Sequence, residues 1–305
     1  MFSITKRRIL VAVTIVLTIG LALGLSASSV GITSEVGTGG QPLYATTDLS
    51  AVPQSVVNDA TRLATQLFGE YEAKYRGFVD ELLASYVESK GKDLVILFNP
   101  GGWGASLVEA APDWESILAG IQSQLTNSGN TSLILTYRRT IDTLQGRLGE
   151  LVEMVRGYSS KAKTLAYRVE FLTTHNPGLK VVIAGESMGT VISDEAMNIL
   201  SDNTQVFSIQ TGPPFWHRNA TADRTLVMTS NGVMPDSFTQ GNILAIIRAN
   251  LAALFGKSQP EGRQGTILQY IRAPGHDYWW EYPGVSSQVT RFFAETVGIK
   301  LPSVR

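Results

Sequence analysis

Residues 179–190 read Leu179-Lys180-Val181-Val182-Ile183-Ala184-Gly185-Glu186-Ser187-Met188-Gly189-Thr190. Residues 180–184 form a short, largely β-branched run of the kind that makes a buried strand. The run meets Gly185-Glu186-Ser187-Met188-Gly189, which has the form G-x-S-x-G. Val191, Ile192, Ala196, Ile199 and Leu200 then follow at helical spacing. Strand, glycine-flanked serine and helix in that order is the setting in which a serine is held on a sharp turn with its hydroxyl outward. The flanking glycines lack Cβ atoms, so strand and helix can approach closely. The first N–H groups of the helix lie where an oxyanion would develop. The bland reading of the same residues is a tight strand-to-helix turn.

This stretch resembles the nucleophile elbow of the α/β-hydrolase family, the serine esterase and lipase type. The resemblance implies an α/β fold with a mainly parallel sheet, and a base, an acid and an oxyanion loop elsewhere in the chain. Working outward, strands are expected at 94–98, 133–137, 180–184, 205–210, 225–229 and 266–271, six in all. Helices are expected at 113–125, with Asp113 as N-cap, at 141–174 with a break near 157–160, and at 243–255 and 287–297. Such alternation calls for one sheet covered on both faces. The family pattern opens with an antiparallel pair of strands. Here residues 56–86 carry a helical period instead, with Gly69 and Gly77 as points where it bends or breaks. That departure implies a shortened sheet, as in the small cutinase-like members.

The bulk properties narrow the function. A net charge of −1 over 305 residues makes no electrostatic case for nucleic acid. The absence of cysteine excludes disulfides, thiolate metal sites and cysteine nucleophiles. With three histidines a His-rich metal site is not expected, and no metal or cofactor is implied. Lys6-Arg7-Arg8 precedes residues 9–25, an uncharged apolar run, and no Lys or Arg recurs before Arg62. That pattern favours a transmembrane signal anchor with the rest of the chain extracytoplasmic, over a cleaved signal peptide that would release a secreted protein. The expected division is 1–28 anchor or signal, 29–55 flexible tether and 56–305 hydrolase domain.

In a parallel sheet of this kind, ligands bind at the carboxyl ends of the strands. His175 precedes the elbow strand and lies at the wrong end. His217 and His276 both follow strands on the correct face. The family order of serine, acid, histidine selects His276 as base, with His217 as fallback or pocket residue. The acid should follow the 225–229 strand. Asp236 is the only acidic residue between Arg224 and Glu261. Its bland alternative is a helix-cap aspartate. Asp277 adjoins His276 in sequence, and consecutive side chains seldom face each other. Asp194 and Glu195 lead away along the helix.

Asn99-Pro100-Gly101-Gly102-Trp103-Gly104 stands where the family places its oxyanion loop, without the histidine that often opens it. The resemblance implies the N–H of Gly102, or alternatively of Trp103, acting with that of Met188. Trp103, Glu186, Phe215, Trp216, His217 and Tyr278 are the expected pocket residues, with Trp279 and Trp280 in loops on the same face. The short segment after the 205–210 strand leaves little room for a large lid. The expected function is therefore carboxylic-ester hydrolysis through Ser187, His276 and Asp236, on a small-molecule or lipid-like ester. A thioesterase, peptidase or acyltransferase would use the same parts. The alternative from another class is a non-catalytic extracytoplasmic binding module on this fold.

Overall fold

The computed structural model describes residues 45–301 apart from 70–71, 105–107, 141–143, 218–222, 257–264 and 268–269. The apolar run at 9–25 and most of the tether lie outside the described residues. Among the described residues, no helix is long and apolar enough to cross a membrane.

The sheet is made of β1 (Leu94–Asn99), β2 (Ser132–Thr136), β3 (Lys180–Glu186), β4 (Val206–Thr211) and β5 (Thr225–Met228). The strands are all parallel, in the order β2-β1-β3-β4-β5. Both faces are covered, which is why the strands read as near-continuous apolar runs. Alternate residues serve opposite cores. Val95, Leu97, Val181 and Ile183 pack against α5 (Ser159–His175) and α6 (Met188–Ile199). Leu94, Ile96, Phe98, Val182 and Ala184 pack against α3 (Pro112–Asn127) and α8 (Pro283–Phe292). Two further helices, α1 (Gln54–Phe68) and α2 (Glu72–Ser89), form an outer layer against Phe171 of α5. They are the expected 56–86 helical stretch broken in two. The break falls at Gly69, whose φ of 59° no helix can continue, whereas Gly77 sits inside α2.

The order matters for the site. From β1 the chain crosses to β2 on one side, and from β3 it crosses to β4 on the other. The loops leaving β1 and β3 therefore part, and a crevice opens between them at the carboxyl ends of adjacent strands. The loop after β1 contains Gly101 and Gly102, and the loop after β3 contains Ser187.

One expected strand is corrected. The sheet has five strands, not six. Residues 266–271 instead contribute to a small antiparallel hairpin of β6 (Thr266–Ile267) and β7 (Ile271–Arg272). The run turns back at Tyr270 and pairs with itself. Arg272 is held on both backbone groups by Asn250 of α7 (Ile243–Leu254), so its ladder positions are taken by a side chain. The expected N-cap is corrected too. Ala111 caps α3, Pro112 is its first residue, and Asp113 lies in the first turn. The 141–174 region divides into α4 (Leu144–Val155) and α5.

Candidate active site

Ser187 joins β3 to α6 with φ 48° and ψ −116°, a backbone region that costs a non-glycine residue about 1–3 kcal/mol. The surroundings hold it there. Its N–H donates to the Thr211 carbonyl at 2.9 Å, and its carbonyl accepts both the N–H and the hydroxyl of Thr190. Gly189 is required by close approach, because a Cβ there would lie 2.1 Å from the Asn99 carbonyl oxygen. Asn99 in turn donates to the Gly189 carbonyl at 2.8 Å, which fastens the end of β1 to the start of α6.

His276 reaches the same place from the far end of the chain. Ser237 N–H bonds the Pro274 carbonyl at 2.9 Å, laying the 273–278 loop along the loop after β5. The imidazole Nδ1 then lies 2.8 Å from Asp236 Oδ2. The ring rests on Gly212, where a Cβ would come within 2.5 Å of it. Gly212 follows Thr211, whose carbonyl holds Ser187. The serine's anchor and the imidazole's support are thus consecutive residues, the last of β4 and the one after it. Both side chains are buried, Ser187 at 4% and His276 at 7% exposure, so bulk water has little access to either. Among the described residues, no hydrogen bond joins Ser187 Oγ to the ring.

Asp236 is fully buried and fully used. Oδ1 accepts the N–H groups of Phe238 and Thr239, at 2.8 and 3.1 Å. Oδ2 accepts from the ring, from the Thr239 hydroxyl at 3.0 Å and from the Tyr278 hydroxyl at 2.8 Å. Burial alone would raise this carboxyl's pKa, but His276 and these donors outweigh it, and the pKa is lowered. Burial likewise disfavours the imidazolium, yet Asp236, Glu186 and Asp113 together raise the His276 pKa above its ordinary value of 6.5. With Nδ1–H directed at the carboxylate, the neutral ring presents Nε2 as a base.

The loop after β1 is braced from behind. Arg139, with its side chain fully buried, donates to the Pro100 carbonyl, to Asn99 Oδ1 at 2.9 Å and to the Gly102 carbonyl at 3.0 Å, and it pairs with Glu150 at 2.6 Å. Gly101 N–H is taken by Glu186 Oε2 at 2.8 Å. Among the described residues the N–H groups of Gly102 and Trp103 meet no acceptor, and Met188 N–H is one of the donors a helix start leaves unpaired.

The other nominated residues fall as follows. Phe215 and Trp216 stack edge to face at 4.9 Å, and Trp216 packs at 5.5 Å on Phe238, which itself lies 5.1 Å from the His276 ring. Tyr278, another expected pocket residue, is buried and donates its hydroxyl to Asp236. Trp280 packs over Gly120 of α3. His217 Nε2 faces Asp194 at 3.1 Å, and His175 faces Asp59 at 3.0 Å at the other end of the sheet. Asp277 accepts from Asn231 and Tyr282, away from the neighbouring ring. Among the described residues, no group of His, Asp and Glu could hold a metal ion.

Arg139, Thr239 and Phe238 carry no signal in the sequence, and Asp113, expected only as a helix cap, gives no sign there of its place at the site. Asp113 accepts Tyr278 N–H at 3.0 Å. Burial raises its pKa and, with Asp113 nearby, pushes Glu186 to about 7. A pH effect follows. Activity that needs neutral His276 should rise with pH along a limb placed above 6.5. Glu186→Gln keeps an oxygen for Gly101 N–H but removes a negative charge that favours the imidazolium, so the limb should move to lower pH. A pH profile of kcat/KM for both proteins checks this, and an unmoved limb would remove Glu186 from the ring's surroundings.

No protein-family model and no curated protein matches the chain. Among solved structures it is similar to Trichoderma reesei cutinase in complex with a C11Y4 phosphonate inhibitor, at 15% identity over 63% of this chain and 81% of that one, with a TM-score of 0.37. At that distance the function has to be read from the site.

Proposed function

We propose that the protein is a serine hydrolase of the α/β-hydrolase type that cleaves carboxylic esters, with residues 56–305 as its catalytic domain. The observation that carries this reading is the Asp236–His276 pair, seated on Gly212 beside a serine held at a strained turn. Ser187 Oγ adds to the ester carbonyl as its proton passes to His276 Nε2. The oxyanion is held by the N–H of Met188 and that of Gly102 or Trp103. Collapse of the intermediate expels the alcohol, which takes the proton from His276. Water, deprotonated by the same ring, then attacks the acyl group on Ser187 and releases the acid. Asp236 keeps the ring in one tautomer and stabilises the imidazolium. Phe215 and Trp216 supply an apolar wall for the acyl or alcohol group. Residues 9–25 would anchor this domain outside the cytoplasmic membrane.

Fluorophosphonate capture tests the reading directly. The expected result is a single phosphonylated site, on the peptide containing Ser187. Wild type that stays unlabelled while folded would leave the non-catalytic binding module as the better account.

A further inference from the structure

Nine large apolar side chains are exposed among the described residues, and five of them belong to α7 and the residue that ends it: Leu244, Ile247, Leu251, Leu254 and Phe255. Their spacing puts them on one face of the helix. The opposite face is fully engaged. Ile246 and Ala249 are buried, the former packing with Phe238 and Ile267, and Asn250 is tied to both backbone groups of Arg272. The helix therefore cannot roll its apolar stripe inward. Leu254 and Phe255 are 81% and 79% exposed, and Tyr270, in the hairpin turn joined to α7 by these bonds, is 60% exposed. A surface helix ordinarily turns charge outward, but here the outer face carries one charged residue, Arg248.

We propose that this face of α7 is a docking surface for an anionic lipid layer, in which it lies flat rather than spanning. Two features of the chain select that occupant. Residues 237–275 contain Arg248, Lys257, Arg263 and Arg272 against the single acid Glu261, in a protein whose net charge is −1. An exposed apolar helix face within a stretch of sequence of net positive charge, with Arg248 on that face, is the pattern of an interfacial helix, in which apolar burial and attraction to anionic headgroups add. The second feature is position along the chain. The uncharged run at 9–25 is separated from residue 45 by 19 residues rich in Ser, Gly and Thr. As the flexible tether that their composition implies, these residues would reach about 25 Å, and a domain anchored by that run would stay close to the bilayer. The inner face of α7 rests on Phe238, which packs on the His276 ring. Docking would thus set the rim of the candidate active site against lipid. The docking itself does not depend on the catalytic reading; the inference that it favours lipid-borne esters does.

The chain has no cysteine, so Phe255→Cys creates a single thiol for an environment-sensitive fluorophore. The test uses the full-length chain reconstituted in vesicles of phosphatidylcholine with phosphatidylglycerol. Val152→Cys is the control, an exposed position on α4. The label at 255 should shift to the blue and be quenched by acyl-brominated lipid, less so without phosphatidylglycerol, while the label at 152 stays water-like. Leu251→Asp with Leu254→Asp should abolish the shift and lower hydrolysis of a vesicle-borne ester relative to a soluble short-chain one. A label at 255 that behaves like the control overturns the proposal. So does a label already blue-shifted without lipid: at twice the monomer mass a second copy covers the face, and at monomer mass the chain's own apolar run does. If no ester is hydrolysed but the label still enters lipid, the catalytic reading fails and the docking stands.

Discussion

Ser187→Ala and His276→Ala should each reduce ester hydrolysis to the same floor, on the order of 10⁴- to 10⁶-fold below wild type, and the double variant should fall no further. The equality follows from how the groups act in the proposed mechanism. The serine is a weak nucleophile until the ring takes its proton, and the ring has nothing to activate once the hydroxyl is gone. Residual rate would come from the proposed oxyanion donors, which both variants retain. KM should change little, because neither side chain is needed to hold the ground-state ester. Fluorophosphonate labelling should disappear in Ser187→Ala and slow sharply in His276→Ala. Thermal melting would show that both remain folded. Additive losses in the double variant, or a single variant within tenfold of wild type, would mean that the two side chains do not work as one unit.

The parts of this molecule legible in the sequence are those with a local steric or compositional cause. The elbow is one, since a Cβ at Gly189 would collide with the Asn99 carbonyl oxygen and the spacing of the glycines records that constraint. The parallel sheet is another, because strands buried on both faces lose the polar alternation a half-exposed strand would show. The pairing of Asp236 with His276 could be anticipated because Asp236 has no acidic competitor nearby. What was not legible depends on partners distant in sequence. The composition of residues 266–271 suits a strand, but strand propensity says nothing of which edge is available, and Asn250 holds Arg272 in a separate hairpin. Arg139 lies 37 to 40 residues from the carbonyls and the amide it braces, and Tyr278 lies 42 from the carboxylate it supports. No periodicity marks either. Asp113 looked like a cap by position, yet its carboxylate accepts the N–H of Tyr278, 165 residues away.

Asp236→Asn should lower kcat by about 10⁴-fold with a much smaller effect on KM. The hydrogen bonds leave the amide no neutral choice. If its oxygen stays with the N–H groups of Phe238 and Thr239, its NH₂ faces the ring, the Thr239 hydroxyl and the Tyr278 hydroxyl. The two hydroxyls can rotate and accept. The ring can accept only by moving its proton to Nε2, and in that tautomer it cannot take the proton from Ser187. If the amide flips, two backbone N–H groups meet an NH₂ inside a buried site, an arrangement that costs about 1–3 kcal/mol for each unsatisfied donor. That state should appear as a lower melting temperature instead of an intact fold. Steady-state kinetics and melting on the same preparation separate the outcomes. A loss of less than tenfold in a fully folded variant would show that the imidazolium is stabilised by another carboxylate. Glu186 and Asp113 would then be the groups to replace next, since both already act electrostatically on the His276 ring.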